Sequence, residues 1–214
     1  MKPLGILGGT FDPIHYGHLR PAQEVLRGLD LDEVLFIPAA HPPHRRSPLA
    51  TAEQRLHMAE LALAGIPGLR VDDREIRRGG PSYTVLTLES LRQELGVRPL
   101  CLLLGQDAFE GIESWHQWQR LPELAHFVVM TRPGWSMPAS ATLPLWTQER
   151  LAHDARDLTR AGAGKIYFQT VTPQDISATR IREAIARGEP VDGLTSPAVI
   201  DYLRTNRIYL NREN

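Results

Sequence analysis

The chain has 214 residues, and its 24 Lys and Arg against 25 Asp and Glu give a formal net charge of -1. No global positive field exists to recruit nucleic acid or an anionic membrane, so any anion site must be local. A composition that is 42% hydrophobic and 23% charged excludes disorder and fibrous repeats, and the length suffices for one sizeable core without disulfide or metal staples.

Leu4 to Leu7 is a short apolar run ending in Gly8-Gly9, which reads as a first strand and is too short for a signal peptide. From about His18 to Leu29, the residues Leu19, Ala22, Val25, Leu26 and Leu29 recur at helical spacing, completing a strand, glycine turn and helix. Val34 to Ile37 is the next strand, and Pro38-Ala39-Ala40-His41-Pro42-Pro43-His44-Arg45-Arg46 follows it as a basic loop that its prolines keep out of helix. Thr51-Ala52-Glu53-Gln54 reads as a capping box opening a helix that runs to Gly65. Leu69 to Asp72 is a weaker strand, and Pro81-Ser82-Tyr83-Thr84 opens a helix that Gly96 closes.

Leu100 to Leu104 is wholly apolar, as befits a parallel strand covered on both faces; Cys101 within it reads as a buried, inert thiol, and a single cysteine fits a reducing cytoplasm. His126 to Met130 and Lys165 to Val171 supply two more strands, with loops and one short helix near Thr147 to His153 between them. Ser177 caps a helix over Thr179 to Arg187. No run reaches the roughly 18 apolar residues of a membrane span. The alternation predicts an α/β fold, a doubly wound Rossmann-like parallel sheet with helices on both faces, as one domain over 1–214 with a small helical C-terminal part from about 172 onward. Ligands then belong at the C-terminal ends of the strands.

Two stretches carry chemistry. In Gly8-Gly9-Thr10-Phe11-Asp12-Pro13-Ile14-His15-Tyr16-Gly17-His18 the glycines bring backbone close to a phosphate at a helix N-terminus, and two imidazoles offer hydrogen bonds to oxygens whose charge grows during transfer. The spacing matches neither the dinucleotide fingerprint nor the P-loop. Taken alone it leaves open a purely structural turn, a helix-capping or solvent-facing histidine pair, or a metal site on the i, i+3 spacing, though no matching Cys or His cluster stands elsewhere. The second stretch, Ile176-Ser177-Ala178-Thr179-Arg180-Ile181-Arg182, sets two hydroxyls and two arginines at a positive helix end, which suits several phosphates and equally suits a plain Ser cap.

Together the two stretches resemble the paired motifs of the HxGH nucleotidyltransferase superfamily. Pro42-Pro43-His44-Arg45, Pro81-Ser82-Tyr83-Thr84, Gly105-Gln106-Asp107, Trp115 and Arg132-Pro133-Gly134 are similar to bacterial nicotinate mononucleotide adenylyltransferases, so that the resemblance spans essentially the whole chain. It implies transfer of AMP from Mg-ATP to nicotinic acid mononucleotide, giving deamido-NAD and pyrophosphate. It implies His18, His15 and Arg182 as the catalytic groups. Gly8, Gly9, Thr10 and Phe11 form a floor for ATP, Ser177, Thr179 and Arg182 hold the triphosphate, and Gly105 and Asp107 border the adenosine. Tyr83 and Thr84 offer backbone N–H groups to the nicotinate carboxylate, Trp115 stacks on the pyridine ring, and Thr10, His44, Arg45, Arg46 and Arg132 are candidates for the rest of the mononucleotide. Where many relatives carry Asn-Asn after the second strand this chain has Ala39-Ala40, so a side-chain contact made there is lost or replaced, for instance by His41 or a water.

The implied partners are small molecules, with Mg2+ arriving on ATP, no metal ligand set in the chain, no nucleic acid and no membrane; self-association into a homo-oligomer is left open. A mononucleotide phosphate, already ionised near neutral pH, needs no general base and attacks in line without a covalent enzyme intermediate. Nicotinamide mononucleotide or phosphopantetheine as acceptor, a truncated aminoacyl-tRNA synthetase-like ligase, and a non-catalytic nucleotide-binding regulator are the competing readings. The ligase lacks its KMSKS-like loop and a basic RNA-binding domain, and the regulator has no reason to keep both motifs whole.

Overall fold

The computed structural model describes residues 1–43, 47–135 and 144–210. Six strands, β1 (Leu4–Gly9), β2 (Glu33–Pro38), β3 (Leu69–Val71), β4 (Leu100–Gly105), β5 (His126–Thr131) and β6 (Ile166–Thr170), line up in the order β3-β2-β1-β4-β5-β6. The order reverses between β1 and β4, the switch point of a doubly wound Rossmann-like sheet. Leu4 stands opposite Leu100, Cys101 opposite His126 and Phe127 opposite Ile166, all in parallel register. Leu100 to Leu104 are all buried, which explains an apolar run with no alternation.

The helices are α1 (Tyr16–Gly28), α2 (Ala52–Leu63), α3 (Arg74–Arg78), α4 (Thr84–Leu95), α5 (Gln106–Glu110), α6 (Leu121–Leu124), α7 (Leu145–Gln148), α8 (Ala178–Ala186) and α9 (Pro197–Thr205). Among the described residues no helix is long and apolar enough to cross a membrane. The predicted capping box at α2 is present in both directions: Thr51 Oγ1 accepts from Gln54 N–H, and Gln54 Oε1 accepts from Thr51 N–H.

Contacts group the chain into two compact units, one of Met1–Leu7, Pro21–Leu35 and Tyr83–Pro173, the other of Gly8–Arg20, Phe36–Ser82 and Gln174–Asn214. In the first, Arg92 ties loops together by donating to the carbonyls of Leu124, Gly96, Arg98 and Gly162. Cys101 is fully buried there, and burial pushes its thiol up to about 12, so it stays protonated and inert. In the second, Ile181, Ala184, Val191 and Ile200 form the core of the helical C-terminal part.

The short helix expected near Thr147 to His153 lies earlier, at Leu145–Gln148. Pro144 starts it by accepting from Thr147 and Gln148 N–H, and the chain then leaves helix because Arg150 and Ala152 bond to Ile166 on β6. Trp115 lies between two separate 3-10 turns, Ile112–Ser114 and Trp118–Arg120, which are divided by Gln117 in the left-handed region.

Candidate active site

The turn after β1 is built around Phe11, whose φ of 51° places it in the left-handed region. Its ring lies under Gly9, where an added Cβ would fall 2.6 Å from Phe11 Cε1, so position 9 must be glycine. The same ring meets Phe36 at 5.8 Å and the His18 ring edge-on at 5.1 Å. The apolar part of the motif thus becomes the floor that fixes a histidine.

The two histidines cap α1 with one side of their rings. Gly17 N–H donates to His15 Nδ1 at 3.1 Å, and His15 N–H donates to His18 Nδ1 at 3.2 Å. This is the reciprocal pattern of a capping box, with imidazoles in place of the hydroxyl and carboxamide. Because each Nδ1 accepts from a backbone N–H, either ring when neutral carries its proton on Nε2. The capping reading and the catalytic reading of the pair are therefore compatible. The rings stand 3.8 Å apart between centroids.

His15 is 6% exposed, and burial pushes its pKa from 6.5 down to about 4. At neutral pH it is a hydrogen-bond donor and not a cation. Below pH 6.5 the unfolded chain takes up a proton that the folded chain refuses until about pH 4, so this histidine's contribution is whole at neutral pH and is lost as the pH falls through that window. Denaturant unfolding at pH 7 and pH 5 is expected to show a loss smaller by about 2 kcal/mol in His15→Asn, which keeps an acceptor for Gly17 N–H, than in the unaltered chain. Identical losses in the two proteins would remove the assignment.

At the start of α8, Ser177 Oγ accepts from Arg180 N–H as predicted for a cap. The two arginines part ways. Arg180 turns to Asp175 at 2.9 Å, an exposed pair, whereas Arg182 donates through Nη1 to the Asp12 carbonyl at 2.7 Å and through Nη2 to Thr179 Oγ1 at 3.1 Å. A cavity of about 590 Å3 is lined by Thr10, Phe11, Asp12, His15 and His18 from the first motif, by Ser47 to Leu49, and by Ile176 to Thr179 and Arg182 from the second. Motifs separated by some 160 positions in the sequence so share one anion-suited space.

Residues 6–184 match the cytidylyltransferase-like family model. The probable nicotinate-nucleotide adenylyltransferase of Aeromonas hydrophila is 46% identical over 207 residues, covering 97% of each chain. That of Halorhodospira halophila is 49% identical over 199 residues, covering 93% of this chain and 91% of the relative. The chain belongs to the nicotinate-nucleotide adenylyltransferase family. The nicotinic acid mononucleotide adenylyltransferase of Plasmodium falciparum, solved in complex with NaAD, shares the fold of this adenylyltransferase with a TM-score of 0.72 at 16% identity, over 98% of each chain.

In this adenylyltransferase Gly8, exposed near the end of β1, is not among the residues lining that cavity, and the other predicted residues lie in the first unit or outside the described residues. Gly105 ends β4 and Asp107 stands in the first turn of α5, both exposed. Tyr83 precedes α4 and Thr84 is its first residue, where helix amides have no intrahelical partner. The Tyr83 ring stacks on His116 at 4.2 Å, a neighbour the sequence reading did not single out, next to the half-buried Trp115. Arg132 is exposed just past β5. His44, Arg45 and Arg46 lie outside the described residues. Ala39 and Ala40 are buried, and both serve through backbone: Ala39 N–H donates to Gly9 O, and Ala40 O accepts from Arg55. His41 reaches Ser82, its N–H donating to the hydroxyl and its carbonyl accepting from Ser82 N–H.

Sequence reasoning missed Arg55, Asp12 and Tyr209. Arg55 is 1% exposed and donates to the carbonyls of Thr10, Ala40 and Ala50, pinning the turn after β1 to both ends of the connection between β2 and α2. Asp12 sits inside the quoted motif, yet nothing local announces its partners, which lie 37, 38 and 197 positions away.

Proposed function

We infer that the chain transfers AMP from ATP to nicotinic acid mononucleotide, producing deamido-NAD and pyrophosphate in NAD biosynthesis, and that it acts as a single nucleotidyltransferase domain in the cytoplasm. The observation that carries this reading is the cavity in which imidazole donors, Arg182 and the N-terminal amides of α8 converge. Such a set fits a triphosphate. An oxygen of the mononucleotide phosphate attacks the α-phosphorus in line; the new P–O bond forms as the bond to the β-phosphate oxygen breaks, and pyrophosphate leaves.

No proton needs to be removed from the nucleophile, so the protein's part is alignment and charge neutralisation. His18 and His15 donate to the phosphates through Nε2, and Arg182 with the Ser177 and Thr179 hydroxyls holds the departing end. Among the described residues no group of three or more His, Cys, Asp or Glu is placed to hold a metal ion; magnesium would be held by the ATP phosphates and water. That ion, arriving with the nucleotide, would neutralise charge on the phosphates. Gly8, Gly9, Thr10 and Phe11 floor the ATP site, and Gly105 and Asp107 receive the adenosine. Thr84 and Tyr83 offer backbone N–H groups to the nicotinate carboxylate, Trp115 stacks on its ring, and Arg132 serves the mononucleotide.

Purified protein given Mg-ATP with nicotinate mononucleotide, nicotinamide mononucleotide or phosphopantetheine is expected to release pyrophosphate fastest with the nicotinate acceptor and to form a product of deamido-NAD mass. Preference for either other acceptor would overturn the substrate, and ATP binding with no product from any would overturn the enzyme reading.

A further inference from the structure

Asp12 places a carboxylate on the wall of a cavity suited to anions, a position that needs explanation. A bare carboxylate there would repel a triphosphate and would draw Arg182 to itself, since Arg182 Nη1 is already 4.0 Å from Asp12 Oδ2. The chain satisfies it from behind. Leu49 N–H donates to Oδ2 at 2.9 Å, Ala50 N–H to Oδ1 at 3.1 Å, and the Tyr209 hydroxyl to Oδ1 at 2.6 Å, the length of a charge-assisted bond. Arg55, buried nearby, adds a fixed positive charge. With the carboxylate so occupied, Arg182 is left to the Asp12 carbonyl and the Thr179 hydroxyl.

Tyr209 comes from near the far end of the chain, 197 positions from Asp12, and follows α9 with a φ of 67°, in the left-handed region. A tyrosine accepts that backbone state only where its surroundings fix it. We propose that Tyr209 is a positioning residue for ATP: its hydroxyl holds the Asp12 carboxylate and, through the Asp12 main chain, sets Arg182 in the phosphate cavity. This rests on the reading of that cavity as the triphosphate site. Burial, then the neighbouring Asp12, push the phenol far above its ordinary range, so the hydroxyl remains a donor at every working pH.

The test is a double-mutant cycle on ATP affinity, using Mg-ATP titration calorimetry beside steady-state kinetics for the unaltered enzyme, Tyr209→Phe, Arg182→Ala and the pair. Tyr209→Phe keeps the ring and its packing. It is expected to weaken ATP binding about 3- to 10-fold while changing the mononucleotide KM less than twofold, roughly the reach of a coupled network. In the Arg182→Ala background the same change is expected to alter ATP affinity by less than about twofold, because the group through which it acts is gone. An unchanged ATP affinity in Tyr209→Phe would overturn the proposal, and so would an equal fold-loss in both backgrounds, which marks a general effect on folding. If the unaltered protein binds no ATP, the triphosphate reading itself falls, and that is visible before any variant is compared.

Discussion

His18→Ala is expected to lower kcat roughly 10²–10³-fold with little change in the KM for either substrate, the size of effect seen when one preorganised donor to a developing charge is removed. Its ring is held from two sides, by the Phe11 ring at 5.1 Å and by His15 N–H on Nδ1, so its orientation is set before substrate arrives. Donors fixed in advance act mainly in the transition state, and a loss there appears in kcat. Alanine also removes the acceptor for His15 N–H, at about 1 kcal/mol of stability. His18→Asn separates the two roles: its carbonyl oxygen can still accept from His15 N–H, while no donor remains at the place of Nε2. Thermal unfolding should therefore set Asn near the unaltered protein and Ala below it, with turnover low in both. Near-full turnover in either variant would remove His18 from the chemistry.

How far the sequence disclosed this site follows from the range of each signal. Local signals held: the capping box at Thr51, the cap at Ser177, the glycine stop at Gly96 and the apolar Leu100 to Leu104 strand all depend on residues within a turn or a strand of one another. Pairing the two motif stretches needed the family resemblance, because nothing local to Ile176–Arg182 points to Asp12 or His15. The cavity they share is set by the doubly wound order of the strands and by Arg182 reaching the Asp12 carbonyl. Arg55 was hidden for a different reason. Its place in α2 gives no local sign of burial, and only its three carbonyl partners explain a buried guanidinium. The helix expected near Thr147 to His153 stops at Gln148 because of tertiary pairing, since Arg150 and Ala152 spend their backbone on β6.

Gly17→Ala is expected to lower kcat about 10- to 100-fold, the loss that a misplacement of order 1 Å produces at a reacting group. Its backbone raises no objection, for the residue lies in ordinary helix near the start of α1. The obstacle is contact: a Cβ at position 17 would fall 2.8 Å from both Nδ1 and Cε1 of His15, and 3.3 Å from the carbonyl of Ile176. A flexible side chain would swing away, but the His15 ring cannot do so cheaply. It is buried, it accepts from Gly17's own N–H, and it packs 3.8 Å from His18. Relief must come by turning both imidazoles or by pushing α1 from the segment that leads into α8, and either shifts the rings from the positions in which we propose they meet the phosphates. The strain should also reduce stability by about 1–3 kcal/mol, as overpacking does. Gly8→Ala separates steric strain from mere loss of a glycine, because a Cβ there meets nothing within 4 Å. Denaturant unfolding is expected to leave Gly8→Ala at the unaltered midpoint and to lower that of Gly17→Ala; equal midpoints would show that His15 yields freely, and the spacing of the two histidines would then need another cause.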